Sequence, residues 1–570
     1  MSCVQLGMRD ATSARSLAKP RKIAAKSALS HVETLSCGCV ANDHPGSQKC
    51  LDSNKPCNYP HAVIPLRDRR VLQKNALPPG QQAPWAVVHT PGWSVKRLPA
   101  SAAMDPFDSL PIKMPFRSRE LYHYFYQTGA AFSVAPADAN DDCIALATLD
   151  EHALRSTILI AGIHYSWNTG TLQAYESSFL FHKIESIRII NTWLQASDRR
   201  AFVVCVRQIL TMCLAEACLG NIPAAETHLN GVMALFGSRE DADGVCDSSD
   251  DIDGELADRY LILTSCFVLI LKSRLEDFKL FLATQGIDPS QDASSAEALK
   301  LMKTWHGLEH GGLETRLKAM RLFPYFFAPP PTDRRPRMID ASPVLDCLRT
   351  ITATVDRARM DPTPAQLHHV WNDGGPTKLL LDLVNSHVAS YARDGTHTAS
   401  RSSPAGTTAD PPSESRTPVY SSWSGLSAAG ELYIHSVLGI MNAGSPLECR
   451  LLHRVALILQ RDVQQTRADL GGDGVVQSLW FWKVFLGGLA LHRHFTVDVE
   501  TVVCGCAGEL EGLYRWFRGC AKGWSAVTGL SHWDDVQYVL ARVTWPSVLP
   551  AGEVDYAAHA WAQIASGGLE

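Results

Sequence analysis

Residues 179–194 read FLFHKIESIRIINTWL, and this stretch, with its continuation to Phe236, decides the fold. Its apolar side chains recur at spacings near three and four, at Leu180, Ile184, Ile187 and Leu194. Such spacing is typical of a helix with one buried face. The stretch therefore predicts a first helix whose apolar stripe packs into a core.

Two further helices are predicted directly after the first. Residues 199–219 read RRAFVVCVRQILTMCLAEACL, with an apolar stripe at Phe202, Val206, Ile209 and Cys213. The next helix has its stripe at Ala225, Leu229, Val232 and Phe236. Between them Gly220 and Asn221 break the pattern, and Pro223 falls in the first turn of a new helix. So short a turn predicts an antiparallel helical hairpin.

Composition limits the classes of protein to consider. The chain has 570 residues, 46% of them hydrophobic, which is enough for more than one domain with a sizeable core. Its longest apolar run, Tyr260–Leu271, is too short to span a membrane and fits a buried core helix. We therefore expect no membrane partner. The net charge of −5 confines any affinity for DNA to a local basic patch.

Sixteen cysteines are distributed unevenly along the chain. Four lie between Cys37 and Cys57, and four others fall singly in apolar helical runs: Cys205, Cys213, Cys218 and Cys266. Single cysteines on buried faces act as small hydrophobic residues. No secretory signal is visible, so we expect a reducing compartment without disulfides. In such a compartment a cysteine cluster indicates a metal site.

Three stretches together carry a resemblance to a known family. One is HKIESIRIINTWL followed by AEACLGNIPAAETHLNGVMALF, and another is DPFDSLPIKMPFRSRELYHYFYQ at residues 105–127. The third, within residues 479–546, contains LWFWKVFLGGLALHR, LYRWFRG and HWDDVQYVLARVTWP. In this order and spacing they resemble the helical regulatory domain of fungal zinc-cluster transcription factors, over roughly residues 105–546. In this resemblance His182 and His228 match family positions, and we expect each to make a capping or interhelical hydrogen bond.

The segment 37–60 is similar to the end of a fungal zinc cluster, in which six cysteines hold two zinc ions. Cys50, six residues, Cys57 and then Tyr59-Pro60 match the finish of the second arm. Ser47 stands where the family has a cysteine, three positions before Cys50. The candidate thiolate ligands are Cys37, Cys39, Cys50 and Cys57. With His44 as a further candidate, they suffice for one tetrahedral zinc site but not for two.

The DNA-reading part of the cluster also departs from the family. The basic loop that enters the major groove would be HVETLS here, which supplies no donors for base edges. Lys49 and Lys55 remain as candidate DNA-binding residues that contact phosphates without reading sequence. Three interpretations stay open: a degenerate remnant or wrongly joined first exon, a single-zinc variant, and a disordered segment whose match arises by chance.

The remaining segments complete the predicted organisation. Residues 1–36 are rich in Arg, Lys and Ser, which fits a disordered basic tail, a nuclear-localisation or DNA-contacting arm, or a mitochondrial transit peptide. The Ser-, Thr- and Pro-rich composition of 392–422 predicts a disordered insert. The predicted divisions are a tail at 1–36, a degenerate cluster-like segment at 37–60, a linker at 61–104, a helical regulatory domain at 105–391 and 423–570, and the insert at 392–422.

The sequence thus predicts an all-α protein, with an antiparallel helical body after a disordered N-terminal segment. No nucleophile elbow, P-loop, dinucleotide fingerprint or H-E-x-x-H motif occurs, so we do not predict an enzyme. The resemblance implies a nuclear transcriptional regulator with zinc as cofactor and promoter DNA and other transcription regulators as partners. The alternative is a helical interaction or adaptor protein that modulates other regulators without binding DNA. A helical enzyme or small-molecule binder has no supporting residue set.

Overall fold

The described helices of this chain pack around a shared hydrophobic core. The computed structural model describes residues 110–130, 149–194, 199–243, 252–284, 312–330, 335–360, 375–391, 418–441, 447–471, 474–497, 506–549 and 553–566. This part of the chain is 82% helical, with fifteen α-helices and one two-stranded sheet. The predicted all-α class is confirmed.

The structure describes seven helices before the first strand. They are α1 (Ser118–Ala130), α2 (Glu151–Thr169), α3 (Glu176–Trp193), α4 (Arg199–Cys218), α5 (Ile222–Asp243), α6 (Ile252–Thr284) and α7 (Gly312–Phe326). Among these, α4 packs against α2, α3, α5 and α6, and α2 also contacts α1 and α7. The helix α4 is therefore the central element of this half.

As far as the structure describes it, the second half begins with a strand and ends with six helices. Its elements are β1 (Ile339–Asp340), α8 (Ser342–Met360), α9 (Gly375–Ala389), β2 (Tyr420–Ser421), α10 (Trp423–Tyr433), α11 (Cys449–Gln465), α12 (Gly474–Val497), α13 (Ala507–Thr528), α14 (Trp533–Val543) and α15 (Glu553–Ser566). A π-helical turn, Ile434–Leu438, continues α10. The buried α10 contacts α6, α9, α11 and α12, so the two halves share one core.

The predicted helical hairpin is confirmed. One helix ends at Cys218 and the next begins at Ile222. Gly220 adopts a φ of 84°, a left-handed conformation that is costly for a side-chain-bearing residue. Across the turn, the Cys213 thiol donates a hydrogen bond to the Ala225 carbonyl at 3.1 Å. The cysteines predicted to act as small hydrophobic residues, Cys205, Cys213, Cys218 and Cys266, are all buried.

A short strand joins distant parts of the chain. In the antiparallel pair, Ile339 lies opposite Ser421 and Asp340 opposite Tyr420. The backbone N–H of Arg337 donates to the Ser390 carbonyl at 2.9 Å, and that of Ala341 donates to the Val419 carbonyl at 2.7 Å. Residues 418–422, the end of the predicted insert, thus include β2 and the cap of α10, and 392–417 lie outside the described residues.

A buried ion pair fixes α10, α11 and α12 together. Lys483 and Asp462 are each 3% exposed, and their nitrogen and oxygen lie 2.6 Å apart. The Ser422 hydroxyl, which caps α10, donates to the same carboxylate at 2.5 Å. A Cβ at Gly425 would collide with Asp462, so this position requires glycine. The Lys483–Asp462 pair thus requires the backbone of α10 at Gly425 to lie close to the Asp462 side chain.

The apolar helix α12 lies in the core. Gly487 admits a neighbouring helix, since a Cβ there would lie 2.6 Å from the ring of Phe517 in α13. Among the described helices, only α12 is long and apolar enough to cross a membrane, as judged by length and composition. The segment concerned is Gly474–Thr496, with a mean hydropathy of 1.3. However, 78% of that segment is buried inside the protein, which fits a core helix.

Candidate interaction surface

The residues predicted to hold zinc and to contact DNA lie outside the described part of the chain. They are Cys37, Cys39, Cys50, Cys57, Lys49 and Lys55. Within the ranges that the structure describes, no group of three or more His, Cys, Asp or Glu side chains is arranged to hold a metal ion. That finding does not test the zinc site, which therefore stays a prediction.

An ion pair ties α3 to the helical hairpin. The Lys183 ammonium contacts the Glu216 carboxylate, whose side chain is 8% exposed. The other oxygen of Glu216 accepts a hydrogen bond from the Asn221 side chain at 3.0 Å. The carboxylate thereby links Lys183 of α3 to the asparagine of the predicted turn. Because all three groups come from the stretch that decides the fold, the link orients α3 on the hairpin.

His182 ties the inner face of α3 to the start of α1. Its Nε2 lies 3.0 Å from the hydroxyl of Ser118, and this hydroxyl donates its proton to the Pro115 carbonyl at 2.6 Å. Nε2 must therefore carry the proton and donate to Ser118. Burial lowers the pKa of His182 to about 3, with a smaller effect from Arg155. The predicted interhelical hydrogen bond of His182 is confirmed.

His228 occupies a more open position on α5. Its ring is half-buried, and burial lowers its pKa, while Glu216 raises it and Lys183 lowers it. The charges of the Lys183–Glu216 pair thus act on His228 in opposite directions. Its predicted role in a hydrogen bond stays a prediction.

The apolar stripe predicted to be buried on α3 is exposed instead. Leu180 is 44% exposed, Ile184 57% and Ile187 41%, and Leu194 at the helix end is 51% exposed. Asn191, one turn before Leu194, is also exposed. The spacing correctly predicted a helix with an apolar stripe, but the prediction that this stripe packs into the core is wrong.

The reason lies on the opposite face of α3. That face carries a different set of residues, all buried: Ser178, Phe179, His182, Ser186 and Ile190. A Cβ at Gly162 of α2 would lie 2.5 Å from the ring of Phe179, so the two helices approach closely. At that separation serine fits where leucine does not. The Ser178 hydroxyl also accepts a hydrogen bond from the Arg117 backbone N–H at 3.1 Å.

An unusual aromatic residue lies beside the exposed stripe. Phe116 has a φ of 57° and is 53% exposed, and its ring meets that of Phe181 edge-on at 6.3 Å. A positive φ is costly for a bulky residue, and such strain is often associated with function. The exposed apolar surface thus extends from α3 toward the turn before α1.

We call Leu180, Ile184, Ile187, Asn191 and Leu194 the α3 stripe. A shallow depression along it is lined by Ile184, Ile187, Arg188, Asn191 and Thr192. Contiguous apolar surface of this kind marks sites of contact with proteins or membranes. The signal in the sequence was the short polar set at Ser178, His182 and Ser186, whose four-residue spacing fits a tightly packed inner face.

Comparison of the chain with protein-family models, with curated proteins and with solved structures found no match. The structure itself defines a class: an all-α protein with a shared core and an exposed apolar helix face.

Proposed function

We propose that this protein is a nuclear transcriptional regulator of the fungal zinc-cluster type, in which the helical body is the regulatory domain. The supporting observation is that two of the three stretches behind the resemblance are hydrogen-bonded to each other. Ser118 of the first stretch binds His182 of the second at 3.0 Å. Sequence similarity and contact in the fold thus involve the same residues.

In this proposal the N-terminal segment supplies whatever contact with DNA the protein makes. Cys37, Cys39, Cys50 and Cys57 bind zinc, and Lys49 and Lys55 contact phosphates at promoter sites. One tetrahedral site uses all four thiolates. The helical body then contacts other transcription regulators, without an enzymatic reaction.

A second candidate function is favoured by the α3 stripe. An exposed apolar helix face suits a helical interaction or adaptor protein, which modulates other regulators without binding DNA itself. Both candidates use the body for protein contact. They differ in whether the cysteine segment contributes to promoter occupancy.

Promoter occupancy of a cysteine variant separates the two candidates. We expect the double substitution Cys50→Ser and Cys57→Ser to abolish chromatin immunoprecipitation at promoters occupied by the unmodified chain, because zinc binding requires both thiolates. Zinc per purified chain under reducing conditions should fall from one to none. Cys520→Ser, at a half-buried position of α13, serves as the matched control and should change neither value.

The opposite result is equally informative. If occupancy is unchanged in the double variant, the cysteines do not serve DNA binding, and the adaptor function is supported. If the unmodified chain occupies no promoter and binds no transcription regulator, both candidates fail.

A further inference from the structure

We propose that the α3 stripe is a self-association surface, on which α3 of one copy packs in parallel and in register against α3 of a second copy. The inference rests on the part of the proposed function that assigns the helical body to protein contact. It does not depend on DNA or zinc binding.

The spacing of the stripe matches a two-helix seam. Its positions 180, 184, 187, 191 and 194 are separated by four, three, four and three residues, which is the a/d pattern of a coiled coil. In this pattern Leu180, Ile187 and Leu194 take d positions, and Ile184 and Asn191 take a positions. The stripe has isoleucine at one a position and leucine at two of its three d positions, and isoleucine at a with leucine at d favours two-stranded parallel pairing. The inner face of α3 already packs on the protein, whereas this seam lies on its exposed side.

Asn191 favours a second copy over an unrelated apolar helix. An amide buried against an apolar partner would lose its hydrogen bonds to water without replacement. In a parallel pair in register, Asn191 of each copy faces Asn191 of the other, and the two amides can bond to each other. A single asparagine at an a position is known to fix register and the number of strands.

The charges beside the stripe are compatible with self-pairing. Lys183 and Arg188 flank the seam at g and e positions, which face each other in a parallel pair. Like charges at these positions would repel, but each is matched within its own copy. Lys183 contacts Glu216, and the Arg188 guanidinium lies 2.8 Å from the Glu185 carboxylate. The rim is therefore close to neutral when two copies meet.

The size of the surface predicts a weak dimer. At 1.5 Å per residue, the 18 residues of α3 extend about 27 Å, and a helix is about 10 Å wide. That footprint is well below the ~800 Å² per partner of a standard interface. We therefore expect dissociation in the micromolar range.

Sedimentation velocity of the full chain under reducing conditions tests the proposal. Between about 1 and 100 μM, we expect the average mass to rise from 62.4 kDa toward twice that value. Ile187→Glu should raise the dissociation constant by about tenfold or more, because it places two carboxylates in the seam. The matched control is Val527→Glu, at a position of α13 that is 62% exposed, and it should leave the dissociation constant unchanged.

A charge exchange at Asn191 tests the register. Asn191→Asp and Asn191→Lys should each weaken the dimer when alone, since like charges then face each other. An equimolar mixture of the two should associate at least as tightly as the unmodified chain. Misfolding of a variant cannot produce such recovery, so the mixture separates loss of pairing from loss of structure.

Three results would overturn the proposal. They are a constant monomer mass at all concentrations, a dimer that Ile187→Glu leaves intact, and a mixture that fails to recover. In the first case the stripe serves another protein. None of these outcomes changes promoter occupancy, so a failure of this proposal can be distinguished from a failure of the proposed function.

Discussion

The apolar residues of α3 and α11 are similarly spaced, but those of α11 face the core and those of α3 face the solvent. In α11 the apolar set is buried: Leu451, Leu452, Val455, Ile458 and Leu459. In α3 the apolar set is exposed, and small or polar side chains face the core. Periodicity therefore identifies a stripe, but the distance to the neighbouring helix decides which side the core accepts. The close approach at Gly162 selects serine and histidine for the inner face of α3.

The largest expected effect on stability comes from removing a buried charge from the inner face of α11. Asp462→Ala leaves the Lys483 ammonium buried without its partner, and we expect the free energy of unfolding to fall by about 3–5 kcal/mol. Urea denaturation of the full chain measures this. The double variant Asp462→Leu and Lys483→Met replaces the pair by apolar side chains and should lose far less. An equal loss in both variants would mean that the ion pair is not the cause.

A matched pair of isoleucines tests the opposite orientations directly. Ile458 of α11 is 3% exposed, and Ile184 of α3 is 57% exposed. We expect Ile458→Ala to lower the free energy of unfolding by about 2–5 kcal/mol, because it leaves a cavity. Ile184→Ala should change it by less than about 0.5 kcal/mol. Denaturation at concentrations too low for dimers gives both values, and similar losses would contradict the exposed position of α3.

Because His182 is buried on the inner face of α3, we also expect the stability of the protein to depend on pH. Burial lowers the pKa of His182 to about 3 from an ordinary 6.5, so only the unfolded chain binds a proton between these values. The stability from this residue is thus complete above pH 6.5 and is lost as the pH falls toward 3. At about pH 5 the loss reaches about 2 kcal/mol.

His182→Gln serves as the comparison for this pH effect. Its loss of stability between about pH 7.5 and pH 5 should be smaller than that of the unmodified chain by the same ~2 kcal/mol. Other buried histidines, such as His164 with a pKa of about 3, affect both proteins equally. Identical pH profiles would show that His182 does not resist protonation in the folded state.

Local patterns predicted much of this fold. The hairpin followed from Gly220, Asn221 and Pro223, since each acts on the backbone within a few residues. The contact of Gly425 with Asp462 could not be predicted, because it joins two helices that are adjacent only in the fold. The strands β1 and β2 are too short to leave a periodic pattern.

The candidate interaction surface was predicted only in part. The four apolar residues of the α3 stripe were identified from spacing, whereas Asn191 was not. The exposure of the stripe depends on Gly162 and Phe179, which lie in different helices. The zinc and phosphate residues were chosen from motif and charge, and they stay predictions outside the described part of the chain. Long-range geometry, rather than local pattern, accounts for what the sequence left undetermined.

Because β1 holds two distant parts of the chain together, the connection between those parts can change in length at little cost. The strand holds Ser390 and Val419 together through the backbone bonds of Arg337 and Ala341. Whatever sequence joins those anchors, doubling its length would cost only about 0.6 kcal/mol of closure entropy. A gene divided between codons 391 and 418 would encode two fragments that share both the strand pair and the core. That position is therefore the natural place to split the protein into complementing halves.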